Sequence, residues 1–219
     1  MFIKICGITR EEDALLATAL GADAVGFVFA PSTRQVAPSI AGDIARRLPA
    51  DIMTVGVFRD EAPKRVVEIV NSEGLRAAQL HGHESPEDCR WIAERVPVTI
   101  RALAAGSSDL RRFDDFGVDL LLLDSPIPGS GEVFDWSLAE AGPGRRQMLL
   151  AGGLDPGNVA SAIERVGPYG VDVSSGVESR PGRKAPRLLR TFIEAAQSAT
   201  PPAAPHEGSR HRPFDWEVE

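Results

Sequence analysis

The chain has 219 residues, 43% apolar and 25% charged, the balance of an ordinary globular protein and not of a disordered or fibrous one. Lys and Arg number 24 against 31 Asp and Glu, a formal charge of -7, so no cation surplus exists for a sequence-independent grip on nucleic acid. The longest apolar runs are strand-sized, far below the roughly 18 to 20 residues that span a bilayer, which excludes a membrane helix.

Met1 leads straight into an apolar run with no signal-peptide pattern. Cys6 and Cys89 make neither a disulfide framework nor a four-ligand zinc site. A cytoplasmic protein with no membrane or nucleic-acid partner is expected.

In chain order, short β-branched or Leu-rich runs at Phe2–Ile5, 24–29, Met53–Phe58, Ala77–Leu80, 98–102, 120–123, 148–151 and 171–173 predict eight strands. Several are apolar throughout, as parallel strands covered on both faces are. Helical patterns lie between them. Thr9, three residues before Glu12, predicts a capping box. Ser85-Pro86 and Asp155-Pro156 each place a capping oxygen before a proline at the first helical position. Leu188, Leu189, Phe192, Ile193 and Ala196 predict one apolar stripe on the last helix. The units repeat about every 24 residues, which suits a small closed (β/α)₈ TIM barrel over residues 1–197. A doubly wound open sheet is the alternative. Residues 198–219 are Pro-rich and polar and predict a disordered tail, in which Phe214 and Trp216 are out of character.

Reactive groups of such a barrel lie at the carboxyl ends of strands and in the loops after them. That rule selects Cys6, Arg34, His81, His83, Glu84, Arg101, Asp124, Ser125 and Asp172, the 129–131 Gly-Ser-Gly loop, and the Gly/Ser clusters after strands seven and eight. Gly152 and Gly153 let backbone N–H groups approach a ligand, and Ser174, Ser175 and Gly176 add further N–H groups that favour an anion. Together they predict a phosphate site. Cys6 ends a strand before Gly7, so its sulfur should face the barrel mouth, where nearby cations would make it a base or nucleophile. Its bland alternative is an inert thiol, and for Cys89, in mid-helix, the bland reading is preferred. Asp124 closes an all-apolar run and suits a general acid, or else a cap or a partner of Arg101. Asp172 is a similar, weaker case. Arg34 offers a planar guanidinium to a carboxylate, unless it is simply solvated. His81, His83 and Glu84 lack a third imidazole or thiolate at ligand spacing, so hydrogen bonding or packing is expected of them and no metal.

The motifs Lys4-Ile5-Cys6-Gly7-Ile8-Thr9, Gly21-Ala22-Asp23-Ala24-Val25-Gly26-Phe27, Gln79-Leu80-His81-Gly82 and Phe134-Asp135-Trp136 stand in order along the chain. So do Gly152-Gly153-Leu154, with Pro156 and Asn158-Val159, and the stretch from Val171 through Asp172 and Ser174-Ser175-Gly176 to Glu178. The set closely resembles the phosphoribosylanthranilate isomerases of tryptophan biosynthesis. The resemblance implies an Amadori rearrangement of a phosphosugar–anthranilate substrate, with Asp124 as general acid and Cys6 as general base. It implies Arg34 on the anthranilate carboxylate, His81 and Asp172 in substrate binding, and the phosphate on Gly152, Gly153, Ser174, Ser175 and Gly176. It implies no metal or organic cofactor, because the substrate nitrogen is the electron sink, and a monomer or homodimer. Pro128, Glu132, Gln35 and Ala185 depart from the family pattern. The departures keep open a paralogue acting on a modified anthranilate, and a non-catalytic phosphosugar-binding barrel is a further alternative.

Overall fold

The computed structural model describes residues 1–125 and 148–201. Eight parallel strands close a barrel in the order β1 to β8. They are β1 (Phe2–Ile5), β2 (Ala24–Val28), β3 (Met53–Phe58), β4 (Ala77–Leu80), β5 (Thr99–Ala104), β6 (Leu120–Asp124), β7 (Met148–Leu150) and β8 (Gly170–Val173). The barrel closes where Lys4 of β1 stands opposite Asp172 of β8. Outside it lie α1 (Glu11–Ala19), α2 (Pro38–Ala45), α3 (Pro63–Ser72), α4 (Pro86–Ala93), α5 (Val159–Val166) and α6 (Pro186–Ser198). Among the described residues no helix is long and apolar enough to cross a membrane.

Side chains alternate across each strand, and the core divides accordingly. Ala24, Met53, Val55, Ala77, Ile100, Leu120, Leu122 and Leu149 fill the barrel interior. Ile3, Ile5, Val25, Phe27, Leu80, Leu121, Leu123, Leu150 and Val171 face outward under the helices. Each fully buried Leu, Ile or Phe of these layers contributes about 1.5–3 kcal/mol.

Some local expectations are corrected. Thr9 forms no capping box, because its hydroxyl donates to the Gly182 carbonyl (2.6 Å) and the Arg10 N-cap of α1 has no side-chain bond. Asp155 accepts from the N–H groups of Gly157 and Asn158 in a turn, and α5 begins only at Val159. Ser85 does cap α4, accepting from the Asp88 N–H at 3.1 Å. In α6, Leu188 is off the buried stripe and 38% exposed, while Leu189, Phe192, Ile193 and Ala196 are buried. The connection after β5 is a kinked 3-10 segment, Ser108–Phe116. Its acidic pair Asp114-Asp115 opposes the helix dipole at that end.

A short antiparallel hairpin, β9 (Glu178–Arg180) and β10 (Arg183–Lys184), follows β8 and was not foreseen. Gly182 turns it at φ 75. The tail expected over 198–219 and the motifs at 128–136 fall largely or wholly outside the described residues.

Candidate active site

The same alternation that fills the barrel carries chemistry to its mouth. Lys4 and Cys6 have the parity opposite to outward Ile3 and Ile5. Gln79 and His81 continue the inward Ala77, Asp124 continues Leu122, and Gly153 continues Ala151. Asp172 and Ser174 alternate with outward Val171 and Val173. These inward positions converge on one cavity of about 740 Å³, lined by Cys6, Arg34, His81, Asp124, Gly152, Gly153, Asp172, Ser174 and Ser175 among others. Of the residues proposed for acid–base, substrate or phosphate roles, all but Gly176 therefore reach the same space; Ser125 does not line it, and the 129–131 loop lies outside the described residues.

Cys6 is 7% exposed. Burial pushes its thiol up, and the charge of Asp172 adds to that, while Lys4 and Lys184 pull it back without cancelling the rise. The cations that the sequence suggested are present, yet desolvation outweighs them. Lys4, buried without exposed surface, donates to Asp172 Oδ1 at 2.8 Å. Burial draws its ammonium down, but Asp172 and Cys6 more than restore it, leaving it above its ordinary value.

Asp124 does not pair with Arg101. Its Oδ1 accepts the Ser125 N–H at 2.8 Å, and its Oδ2 lies 3.3 Å from His81 Nε2. His81 Nδ1 in turn lies 3.1 Å from Gln79 Nε2. Gln79 Oε1 is buried without a hydrogen-bond partner among the described residues. Gln79, His81 and Asp124 thus form a chain from the barrel interior to its rim.

Arg34 is half-buried and paired, not simply solvated. It donates from Nε (2.9 Å) and Nη2 (2.8 Å) to the two Glu178 oxygens. Lys184 Nζ also donates to Glu178 Oε1 (2.9 Å) and to the Ser174 carbonyl (3.0 Å). Burial works against the Glu178 charge, but the bonds from Arg34 and Lys184 win and hold its carboxyl below the usual range. Burial lowers the Lys184 ammonium, and Glu178 only partly restores it.

The glycines after β7 and β8 owe their identity to close approach. Gly152 has φ 81, and a Cβ there would lie 2.5 Å from the Ser125 nitrogen and 3.0 Å from Asp124 Oδ1. A Cβ on Gly176 would lie 2.0 Å from the Leu154 carbonyl oxygen, so this residue joins the two loops without itself lining the cavity. Among the described residues, the N–H groups of Gly152, Gly153 and Ser174 have no acceptor within the protein. Three unbonded donors facing one cavity suit an anion.

Other short-listed residues serve the fold. Arg101 faces outward and binds Glu84 (2.5 Å) and the carbonyls of Leu80 and Gly82. His83 is exposed beside Asp60. Cys89 is fully buried, and desolvation pushes its thiol up to about 11, so it is inert. Three groups escaped the sequence reading: Lys4, Gln79 and the Glu178–Lys184 pair. For Lys4 a signal existed, a lone cation inside the strand Phe2–Ile5 that must share Cys6's face. For the pair, Pro181-Gly182 marked a turn.

The family model of N-(5'-phosphoribosyl)anthranilate (PRA) isomerase matches residues 3–195. An N-(5'-phosphoribosyl)anthranilate isomerase of Desulforudis audaxviator is 50% identical over 204 residues, covering 90% of this chain and 98% of that protein. The crystal structure of phosphoribosyl anthranilate isomerase from Thermus thermophilus superposes with TM-score 0.83 at 39% identity, over 90% of this chain and 99% of that one. A phosphoribosyl anthranilate isomerase in complex with reduced 1-(o-carboxyphenylamino)-1-deoxyribulose 5-phosphate superposes with TM-score 0.79 at 42% identity, over 90% and 98%.

Proposed function

The chain belongs to the phosphoribosylanthranilate isomerase family of tryptophan biosynthesis, and from that premise we propose that Cys6 is the general base and Asp124 the general acid of its Amadori rearrangement. One observation carries the assignment. Cys6 at the end of β1 and Asp124 at the end of β6 occupy inward positions and line the same cavity. Asp124 protonates the furanose ring oxygen as the C1′–O bond breaks, and the anthranilate nitrogen lone pair forms the iminium. That cation acidifies C2′–H, and the Cys6 thiolate removes the proton to give an enolamine. Tautomerisation of the enolamine gives the ketone, so the net change is an isomerisation.

Proton traffic at Asp124 constrains its neighbours. A proton on Oδ2 facing His81 requires Nε2 to accept, which places the ring proton on Nδ1. Gln79 must then present its amide oxygen to Nδ1, and that oxygen otherwise has no partner. His81 and Gln79 accordingly position the acid. Asp172 touches the substrate from the opposite wall. Arg34 holds the anthranilate carboxylate with the N–H groups that Glu178 leaves free, and Gly152, Gly153, Ser174 and Ser175 take the phosphate, with Gly176 supporting them. The reading includes a cytoplasmic enzyme that is a monomer or homodimer, its one partner the phosphosugar–anthranilate itself.

Two substitutions test the acid and the base. Cys6→Ser and Asp124→Asn should each lower kcat about 10³-fold or more in a substrate-fluorescence assay, with an unchanged circular dichroism spectrum. Near-normal turnover in either folded variant removes that residue from its role.

A further inference from the structure

A fully buried lysine beside a catalytic cysteine calls for an explanation, because an ammonium in a barrel interior costs several kcal/mol unless it is paired. Asp172 supplies one partner, through a single bond of 2.8 Å. An ammonium has three N–H bonds; Asp172 takes one, and of the two that remain one is within hydrogen-bonding reach of the Cys6 sulfur. The space they face is defined by Gly26 on the neighbouring β2. A Cβ on Gly26 would lie 2.9 Å from Cys6 Sγ and 3.2 Å from Lys4 Nζ, so sulfur and ammonium flank the same point. Even an alanine at 26 would push the Cys6 sulfur aside and crowd the Lys4 ammonium.

The charges around the sulfur are unequal. Lys4 comes from β1, Arg34 from the loop after β2 and Lys184 from β10, while Asp172 comes from β8 and Glu178 from β9. Arg34 and Lys184 share Glu178, and Lys4 holds Asp172. Among the described residues on the Cys6 side of the cavity, three cations thus face two carboxylates, and a thiolate would balance the difference, while Asp124 lies apart on β6 beside His81.

We propose that Lys4 is the counter-ion of the Cys6 thiolate: a positioning residue, shared between Asp172 and Sγ, that stabilises the thiolate when it forms, with Gly26 kept small so that the two can meet. This deepens the assignment of Cys6 as base and rests on it. It also gives Asp172 a second task, that of keeping Lys4 charged in a site that would otherwise neutralise it. The attraction of each group for the other is consistent with this, since Lys4 is the largest influence opposing the burial of the thiol.

The test reads the acidity of the sulfur directly. Iodoacetamide alkylation of Cys6 is followed against pH in the full chain carrying Cys89→Ala, with Cys6→Ser as blank. Lys4→Met should slow alkylation at pH 7.5 about tenfold and move the whole profile to higher pH, and Lys4→Arg should recover most of the rate. The double variant Lys4→Met/Asp172→Asn removes the buried pair as a unit and covers the case in which Lys4→Met does not fold. Measured against Asp172→Asn, it should again be slower, by at least about threefold. Alkylation unchanged or faster on loss of Lys4, in whichever comparison folds, overturns the proposal. The pH profile of kcat/KM in the same variants separates the two readings. If Cys6→Ser keeps its turnover, the base assignment fails while the alkylation result stands. If alkylation is insensitive to Lys4 and Cys6→Ser is inactive, the counter-ion alone fails.

Discussion

Arg34 and Glu178, 144 residues apart, are joined by two parallel hydrogen bonds of 2.9 and 2.8 Å, so the guanidinium is fixed in plane before any substrate arrives. A Cβ on Gly7 would lie 2.6 Å from Arg34 Cδ and 2.7 Å from Ser174 Oγ, which shows how tightly the loops after β1, β2 and β8 close on one another. Such pre-orientation lowers the entropy lost when a carboxylate is bound.

Arg34→Met should therefore raise KM about 30-fold or more while kcat stays within a few-fold, because the lost contact is to a part of the substrate that does not react. Glu178→Gln should give a smaller rise in KM, about three- to tenfold, together with a lower Tm, since Lys184 loses its anionic partner. Steady-state kinetics with a thermal melt measure both. A fall in kcat with KM unchanged in Arg34→Met would contradict the carboxylate role.

The barrel, and the convergence of Cys6 and Asp124 on its mouth, were legible because they depend on local pattern. Runs such as Met53–Phe58 announce strands, and the alternation of side chains then carries Cys6 and Asp124 to the mouth with no further information. What escaped depends on distant contacts. The Thr9 hydroxyl had a plausible local use as a cap, but Gly182, 173 residues away, offered it a carbonyl at 2.6 Å. Arg34 was a candidate for a carboxylate, but Glu178 as its partner was not legible, because that residue lies on a hairpin across the closure of the barrel. Lys4 was passed over since the strand around it reads as apolar, and only the register of β1 with β8 brings Asp172 opposite.

The pH dependence of turnover follows from the direction in which Cys6 is moved. Burial raises its thiol, so the protonated form dominates below that raised value and the base form grows above it. kcat/KM should then climb with pH through the neutral and alkaline range, at up to tenfold per pH step while the thiol remains mostly protonated. A buffer-controlled profile from pH 6 to 10 checks this. A flat basic side from pH 6 upward would mean that a sulfur already ionised, or another base, does the work.

Cys89 makes a separate contribution at high pH. Its thiol is pushed up to about 11 in the fold from an ordinary value of 9.0. The folded state therefore keeps its proton where the unfolded chain loses it. The resulting stability is complete below about pH 9 and disappears as pH rises toward 11, on the order of 2 kcal/mol in all. Cys89→Ala should flatten the loss of stability between pH 9 and 11 relative to the parent chain, as read from urea denaturation at each pH. Parallel curves for the two proteins would refute it.

Gln79 tests how the acid is held. Its Nε2 is 3.1 Å from His81 Nδ1, and His81 Nε2 is 3.3 Å from Asp124 Oδ2, so one amide orientation governs both ring nitrogens. Gln79→Met keeps the volume and removes the amide, leaving His81 free to take either tautomer. The fraction of enzyme with a protonated Asp124 facing an accepting Nε2 then drops, and kcat should fall about three- to tenfold with little change in KM. Gln79→Glu, whose carboxylate can only accept, forces the proton onto Nδ1 and leaves Nε2 as the acceptor. That variant should hold kcat nearer to the parent value than Gln79→Met does, and its rate should respond differently to acid pH. Equal losses of kcat in the two variants, with identical pH profiles, would show that Gln79 only fills space beneath His81.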